Sequence, residues 1–180
     1  MGTLPLKPHD DTPPLALRSI EAAVLGIEHG WLRLRWKLEG TERLVIPAFA
    51  GRGRADGLWQ ATCFEMFLRQ PGSRSYIELN LSPSERWAAY DFAGYREGMA
   101  QRPMPRDADC TLRRGGAMAF FDAAVPLAGL PELPWEFNLT AVIEEEGGHK
   151  SYWALAHAPG GPDFHHAACF VATLAAPGAA

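Results

Sequence analysis

This chain predicts an all-β fold, a two-sheet antiparallel β-sandwich of the jelly-roll or immunoglobulin-like kind with little helix. Three observations carry that prediction. Apolar residues recur at alternate positions, as in Leu32, Leu34, Trp36 and Leu38 set against Trp31, Arg33, Arg35 and Lys37, which is the period of a strand buried on one face. Glycine pairs, Gly115-Gly116 and Gly147-Gly148, stand between such segments where hairpin turns belong. No long segment shows the apolar spacing of an amphipathic helix.

In chain order, residues 1–19 read as a flexible N-terminal arm, because the first fourteen hold four prolines and the adjacent Asp10 and Asp11. Strands are expected at 20–25 and 31–38, flanking His29-Gly30, and again at 44–49. The glycine- and arginine-rich stretch 51–57 is a loop. Three strand-like segments follow at 61–68, 76–82 and 87–92; residues 93–109 are irregular, since Pro103 and Pro105 break any regular element. Later strands are expected at 110–114, 118–126, 135–146, 152–157 and 169–174, the last after Pro159-Gly160-Gly161-Pro162. This organisation is one domain over 20–174 with a disordered tail over 175–180.

Composition narrows the function. At 180 residues, 47% hydrophobic and 21% charged, the chain can bury a core as a single domain. Its formal charge of -4 argues against a nucleic-acid binder, which carries a basic face. With no signal-like apolar stretch near Met1 and no window long enough for a membrane helix, the expectation is a cytoplasmic protein without a membrane partner. Cys63, Cys110 and Cys169 lack metal-type spacing and read as reduced, partly buried thiols.

The densest chemistry lies between Trp59 and Phe92, where Glu65, Glu78, Asn80 and Asp91 alternate with apolar residues. If 61–68 and 76–82 pair as a hairpin, the core sets Phe64, Met66, Leu68 and Ile77, Leu79, Leu81 share a face only in an odd-sum register. That register sets Leu68 opposite Ile77, Phe67 opposite Glu78 and Glu65 opposite Asn80. A one-residue slip would bury an unpaired carboxylate in the core, at a cost of roughly several kcal/mol. Asp91 is expected on the same polar face and would bring Trp87 with it, with Trp59 and Cys63 at the upstream end. Tryptophans beside carboxylates and amides suit a sugar, whose C–H faces stack on rings and whose hydroxyls meet oxygens.

The run D-G-L-W-Q-A-T-C-F-E-M-F-L, followed by Y-I-E-L-N-L-S-P-S-E-R-W-A-A-Y-D-F, resembles the DOMON-like domains related to family 9 carbohydrate-binding modules. Trp135-Glu136-Phe137-Asn138 and the late Gly161-Pro162-Asp163-Phe164-His165 fit the same pattern, so the resemblance extends roughly from Ile20 to Leu174. It implies a β-sandwich of two antiparallel sheets that binds ligands, sugars in some relatives and haem in others. Thr62 stands where relatives often carry an acidic residue, and Val171 follows Phe170 where a glycine is common.

Rival chemistries find less support. Haem would draw on Met66, Met99, Met104 or Met118 with His157, His165 or His166, but Met66 falls on the core face and no C-x-x-C-H is present. A metal site at His157, Asp163, His165 and His166 is weakened because adjacent His165 and His166 point apart in extended chain. Calcium at Asp107 and Asp109 is weaker still. Glu65 and Glu78 would serve a glycosidase, but an open sheet face excludes little water. The expectation is therefore a non-catalytic module with no cofactor that binds a carbohydrate or other small polar ligand. Its site would comprise Trp59, Glu65, Glu78, Asn80, Trp87, Trp153 and His165. A structural or protein-partner-binding domain is the alternative.

Overall fold

The computed structural model describes residues 2–176, in which strands dominate and helix is confined to short 3-10 turns. The strands are β1 (Leu4–Pro8), β2 (Ser19–Glu28), β3 (Trp31–Glu39), β4 (Gly53–Arg54), β5 (Cys63–Arg69), β6 (Tyr76–Leu81) and β7 (Arg86–Phe92). They continue with β8 (Ala100–Gln101), β9 (Asp109–Gly115), β10 (Met118–Pro126), β11 (Trp135–Glu145), β12 (His149–Ala154) and β13 (Ala172–Leu174). The all-β expectation is met, and the pairing is antiparallel except between β4 and β7.

Strand β1 decides how the sheet is joined. Its first residues pair with β2, Leu4 opposite Ala22 and Leu6 opposite Ile20. Its last two pair instead with β12, Lys7 opposite Ala154 and Pro8 opposite Trp153. The result is one curled path of hydrogen-bonded neighbours, β4-β7-β6-β5-β11-β12-β1-β2-β3-β10-β9, where two separate sheets were expected. Strand β13 adds to β11 and β8 to β7.

Curling brings the apolar faces of the two ends together. Trp36 of β3 and Phe121 of β10 meet Phe64 of β5, with ring centroids 5.5 Å apart for Trp36–Phe64 and 4.2 Å for the stacked Phe64–Phe121 pair. All three side chains are buried, so the alternation that forms the strands also builds the interior.

Four further expectations need correction. The stretch read as a loose arm holds β1, buries Leu6 and Leu17, and is tied at Leu15, Ala16 and Leu17 to the Glu145 carboxylate. Pro5 lies within the pairing to β2 and Pro8 ends the pairing to β12. Residues 44–49 make only an isolated bridge, Leu44 to Glu145, because Pro47 cannot donate to a ladder. Strand β12 runs earlier than 152–157, and β13 is preceded by a 3-10 turn over Ala167–Cys169. Leu25, half exposed, is the extra residue of a bulge between Val24 and Gly26. Residues 177–180 of the expected tail lie outside the described residues.

Candidate ligand-binding face

The β5–β6 hairpin has the register that the apolar alternation demands, with Leu68 opposite Ile77, Phe67 opposite Glu78 and Glu65 opposite Asn80. The core residues point into the curl, and Glu65, Phe67, Glu78 and Asn80 point to the other side of the sheet. Strand β11 continues the same face, with Asn138 beside Phe67 and Thr140 beside Glu65. On the other flank, Tyr90 of β7 stands beside Glu78 and Ala88 beside Asn80. Two cross-strand rows result, Thr140–Glu65–Asn80–Ala88 and Asn138–Phe67–Glu78–Tyr90.

This face is covered rather than open. Phe164 and His165, from the segment between β12 and β13, lie over Phe67 at 6.1 and 5.0 Å between ring centroids. Tyr76 and Phe92 stack at 4.8 Å, and Phe170 packs against Tyr76 at 5.7 Å. Together with Tyr90, Val142 and Ala154, these rings form a second apolar cluster separate from the main core. Under it Glu65, Glu78, Asn80 and Asn138 are buried, with Glu65 only 2% exposed.

Buried polar groups are normally hydrogen-bonded, and several here are not. Glu65 accepts one bond, from the Thr140 hydroxyl at 3.1 Å. Neither Oδ1 nor Nδ2 of Asn80 has a partner, and Nδ2 of Asn138 has none, although Asn138 Oδ1 accepts from the Leu155 N–H. His165 Nδ1 pairs with the Tyr76 hydroxyl at 2.8 Å, leaving Nε2 at 3.8 Å from Glu78. The Tyr76 hydroxyl also accepts from the Arg96 N–H. Tyr90 donates to Asp56.

Burial sets the charge state of this cluster. Loss of hydration pushes the Glu65 carboxyl well up from its ordinary range, and the neighbouring Glu78 charge adds to that. Glu78 is pushed up to about 7 by burial, against the opposing pull of the nearby Asn80 amide and the Arg96 charge. Burial and Arg96 bring His165 down to about 4. Burial likewise raises Cys63, Tyr76 and Tyr90. Asp163 is lowered against the penalty of its own burial, because Tyr95 and Arg96 donate to it.

A pH signature follows, with opposite signs for the two partners. Glu78, raised from 4.5 to about 7, makes its full contribution to stability below 4.5 and loses it as pH rises through 7. His165, lowered from 6.5 to about 4, makes its full contribution above 6.5 and loses it as pH falls through 4. In the wild type the slopes oppose each other over the shared window. His165→Phe is expected to expose the Glu78 slope, a fall of about 2 kcal/mol between pH 4.5 and 7 in urea titrations. A rise over that window would refute the assignment.

The residues expected at the site are only partly brought together. Glu65, Glu78, Asn80 and His165 converge on this face. Trp87 does not, because β7 pairs Leu81 with Trp87, Leu79 with Ala89 and Ile77 with Asp91. That register puts Trp87 in the main core, its Nε1 donating to Asp107. Asp91 shares the parity without cost, since it lies near the strand end, 41% exposed and paired with Arg102. Trp153 is also a core residue, opposite Ala141. Trp59 sits outside the strands in the turn Leu58–Gln60, half exposed, while its neighbour Leu58 packs on the second cluster.

Asn138, Thr140, Tyr76 and Tyr90 were missed by the sequence reading. Asn138 and Thr140 were legible, since they alternate with Phe137, Leu139 and Ala141 in one strand. His157, Asp163 and His166 do not join the face as metal ligands. His157 Nε2 bonds the Lys7 carbonyl, and His166 Nδ1 accepts from the Ala168 N–H. Among the described residues, no group of three or more His, Cys, Asp or Glu could hold a metal ion. No helix among them is long and apolar enough to cross a membrane.

Fold and face together define an all-β protein with a covered, polar-floored surface on one side of its curled sheet. Its fold is shared with a solved structure from Bacteroides uniformis ATCC 8492 named a "putative carbohydrate-binding protein", at 18% identity and a TM-score of 0.63, covering 96% of this chain and 84% of that one. A family 9 carbohydrate-binding module from Caldicellulosiruptor kristjanssonii, in complex with glucose, is more distant, at 9% identity and a TM-score of 0.47 over 86% of this chain and 76% of that one. No protein-family model matches the chain, and no curated protein does.

Proposed function

We propose that this chain is a non-catalytic carbohydrate-binding module of the DOMON and family 9 kind, with its ligand received on the Glu65–Glu78 face. The observation that carries the reading is Asn80, fully buried with both amide atoms unpartnered, beside two carboxyls that make almost no hydrogen bonds. A sugar hydroxyl donates and accepts at once, so it satisfies such groups pairwise, while Phe67, Tyr90 and Phe164 supply apolar contact for its C–H faces. The fold shared with the Bacteroides uniformis protein supports the class.

Glycan-array screening followed by calorimetry on the whole chain tests this reading. A saccharide is expected to bind, and Asn80→Ala to weaken it about 10-fold, the value of one lost buried hydrogen bond. No binding across the array would overturn the reading. Trp87→Ala is unsuitable as a binding control, because it empties the core. A protein-partner role would rest on exposed Phe49, Trp59 and Tyr95. An exposed apolar patch joining Trp59 and Trp87 would favour that role, and Trp87 is buried.

A further inference from the structure

We propose that the Glu65–Glu78 face selects a ligand bearing a primary ammonium group, and so an amino sugar within the carbohydrate class. The inference rests on the carbohydrate reading and deepens it.

Two carboxyls share the floor of this face with unpartnered amide groups. Glu65 receives a single hydroxyl, Glu78 has the Asn80 amide nearby and the His165 ring at 3.8 Å, and Asn80 Oδ1, Asn80 Nδ2 and Asn138 Nδ2 are unpartnered. A primary ammonium carries three N–H donors and no acceptor, and Glu65, Glu78 and Asn80 Oδ1 offer it three receiving groups on neighbouring strands. A hydroxyl brings one donor to these three groups, where an ammonium brings three.

Arg96 is the cation whose charge reaches the cluster, and it pulls on Glu78 and His165. Its guanidinium is already paired with Asp163 at 2.9 Å. The other titratable groups facing the cluster are Cys63, Tyr76, Tyr90 with its partner Asp56, and His165. None of them is a cation at neutral pH, His165 being held neutral by burial. The walls are the rings of Phe67, Tyr76, Tyr90, Phe92 and Phe164, whose faces attract an organic cation.

The protonation state makes the step measurable. Without a cation the two carboxyls hold protons, because burial raises both and the Glu78 charge adds to the rise of Glu65. When a protonated amine enters, a carboxylic acid gives its proton to solvent and the carboxylate pairs with the ammonium. The bound complex keeps the amine's charge, and the released proton appears in the buffer.

Calorimetry of the whole chain with glucosamine, glucose, N-acetylglucosamine and methylammonium, at about pH 6.5 in buffers of different ionisation enthalpy, tests the proposal. Glucosamine is expected to bind at least about 10-fold more tightly than glucose or N-acetylglucosamine and to release about one proton. Glu78→Gln, or Glu65→Gln if the first fails to fold, is expected to remove both the preference and the release. Glucose or N-acetylglucosamine binding as well as glucosamine would overturn the ammonium assignment and leave the carbohydrate reading standing. If only methylammonium binds, the ammonium assignment holds and the carbohydrate reading falls. Silence from all four compounds overturns both.

Discussion

Glu145→Ala is expected to lower the unfolding free energy by about 3–5 kcal/mol, measured by urea denaturation. The Glu145 carboxylate is 1% exposed and accepts from the N–H groups of Leu15, Ala16 and Leu17 at 2.6, 2.7 and 3.1 Å. Hydrogen bonds to a charged acceptor are stronger than neutral ones, and here three donors depend on one side chain. Alanine leaves those donors without the carboxylate, and the segment entering β2 comes loose from the end of β11. Glu145→Gln keeps one oxygen and should lose less than the alanine variant. An alanine variant within about 1 kcal/mol of the wild type would show that water takes over the role.

Phe64→Ala should cost a comparable amount, about 3–5 kcal/mol. Phe64 is the ring that joins the two ends of the curled sheet, stacked on Phe121 at 4.2 Å and packed on Trp36 at 5.5 Å. Its removal opens a cavity between strands that are distant along the hydrogen-bonded path, so neighbours on one sheet cannot collapse to fill it. Phe49→Ala is the internal control. That ring is 74% exposed, and its loss is expected to fall within about 0.5 kcal/mol of zero. Equal effects at the two positions would sink the assignment of Phe64 as the central packing residue.

The β5–β6 register was legible because a wrong choice is expensive. With period-two side chains, a slip of one residue exchanges Glu78 for Ile77 in the core, and the observed pairs obey that rule. Strand β7 shows where the rule fails. Asp91 suggested a polar face for Trp87, but an aspartate near a strand end can share core parity while its carboxylate reaches solvent and Arg102. Trp87 then fills the core, and Tyr90 takes its place beside Glu78.

Strand identity, the antiparallel pairing of neighbours and the loaded face of β5 and β6 were written in the local alternation of polar and apolar residues. That information is short-range, and it concerns what each strand shows to either side. Whether the face is open was a different kind of question. Phe164, His165 and Phe170 reach it from about a hundred residues downstream, and no local period records such an approach. The fold also decided that β1, rich in proline, would join the two halves of the sheet rather than hang free. By covering Glu65 and Glu78, the tertiary structure turned two ordinary surface carboxylates into buried acids with raised affinity for protons, because burial removes the water that would have stabilised their charge.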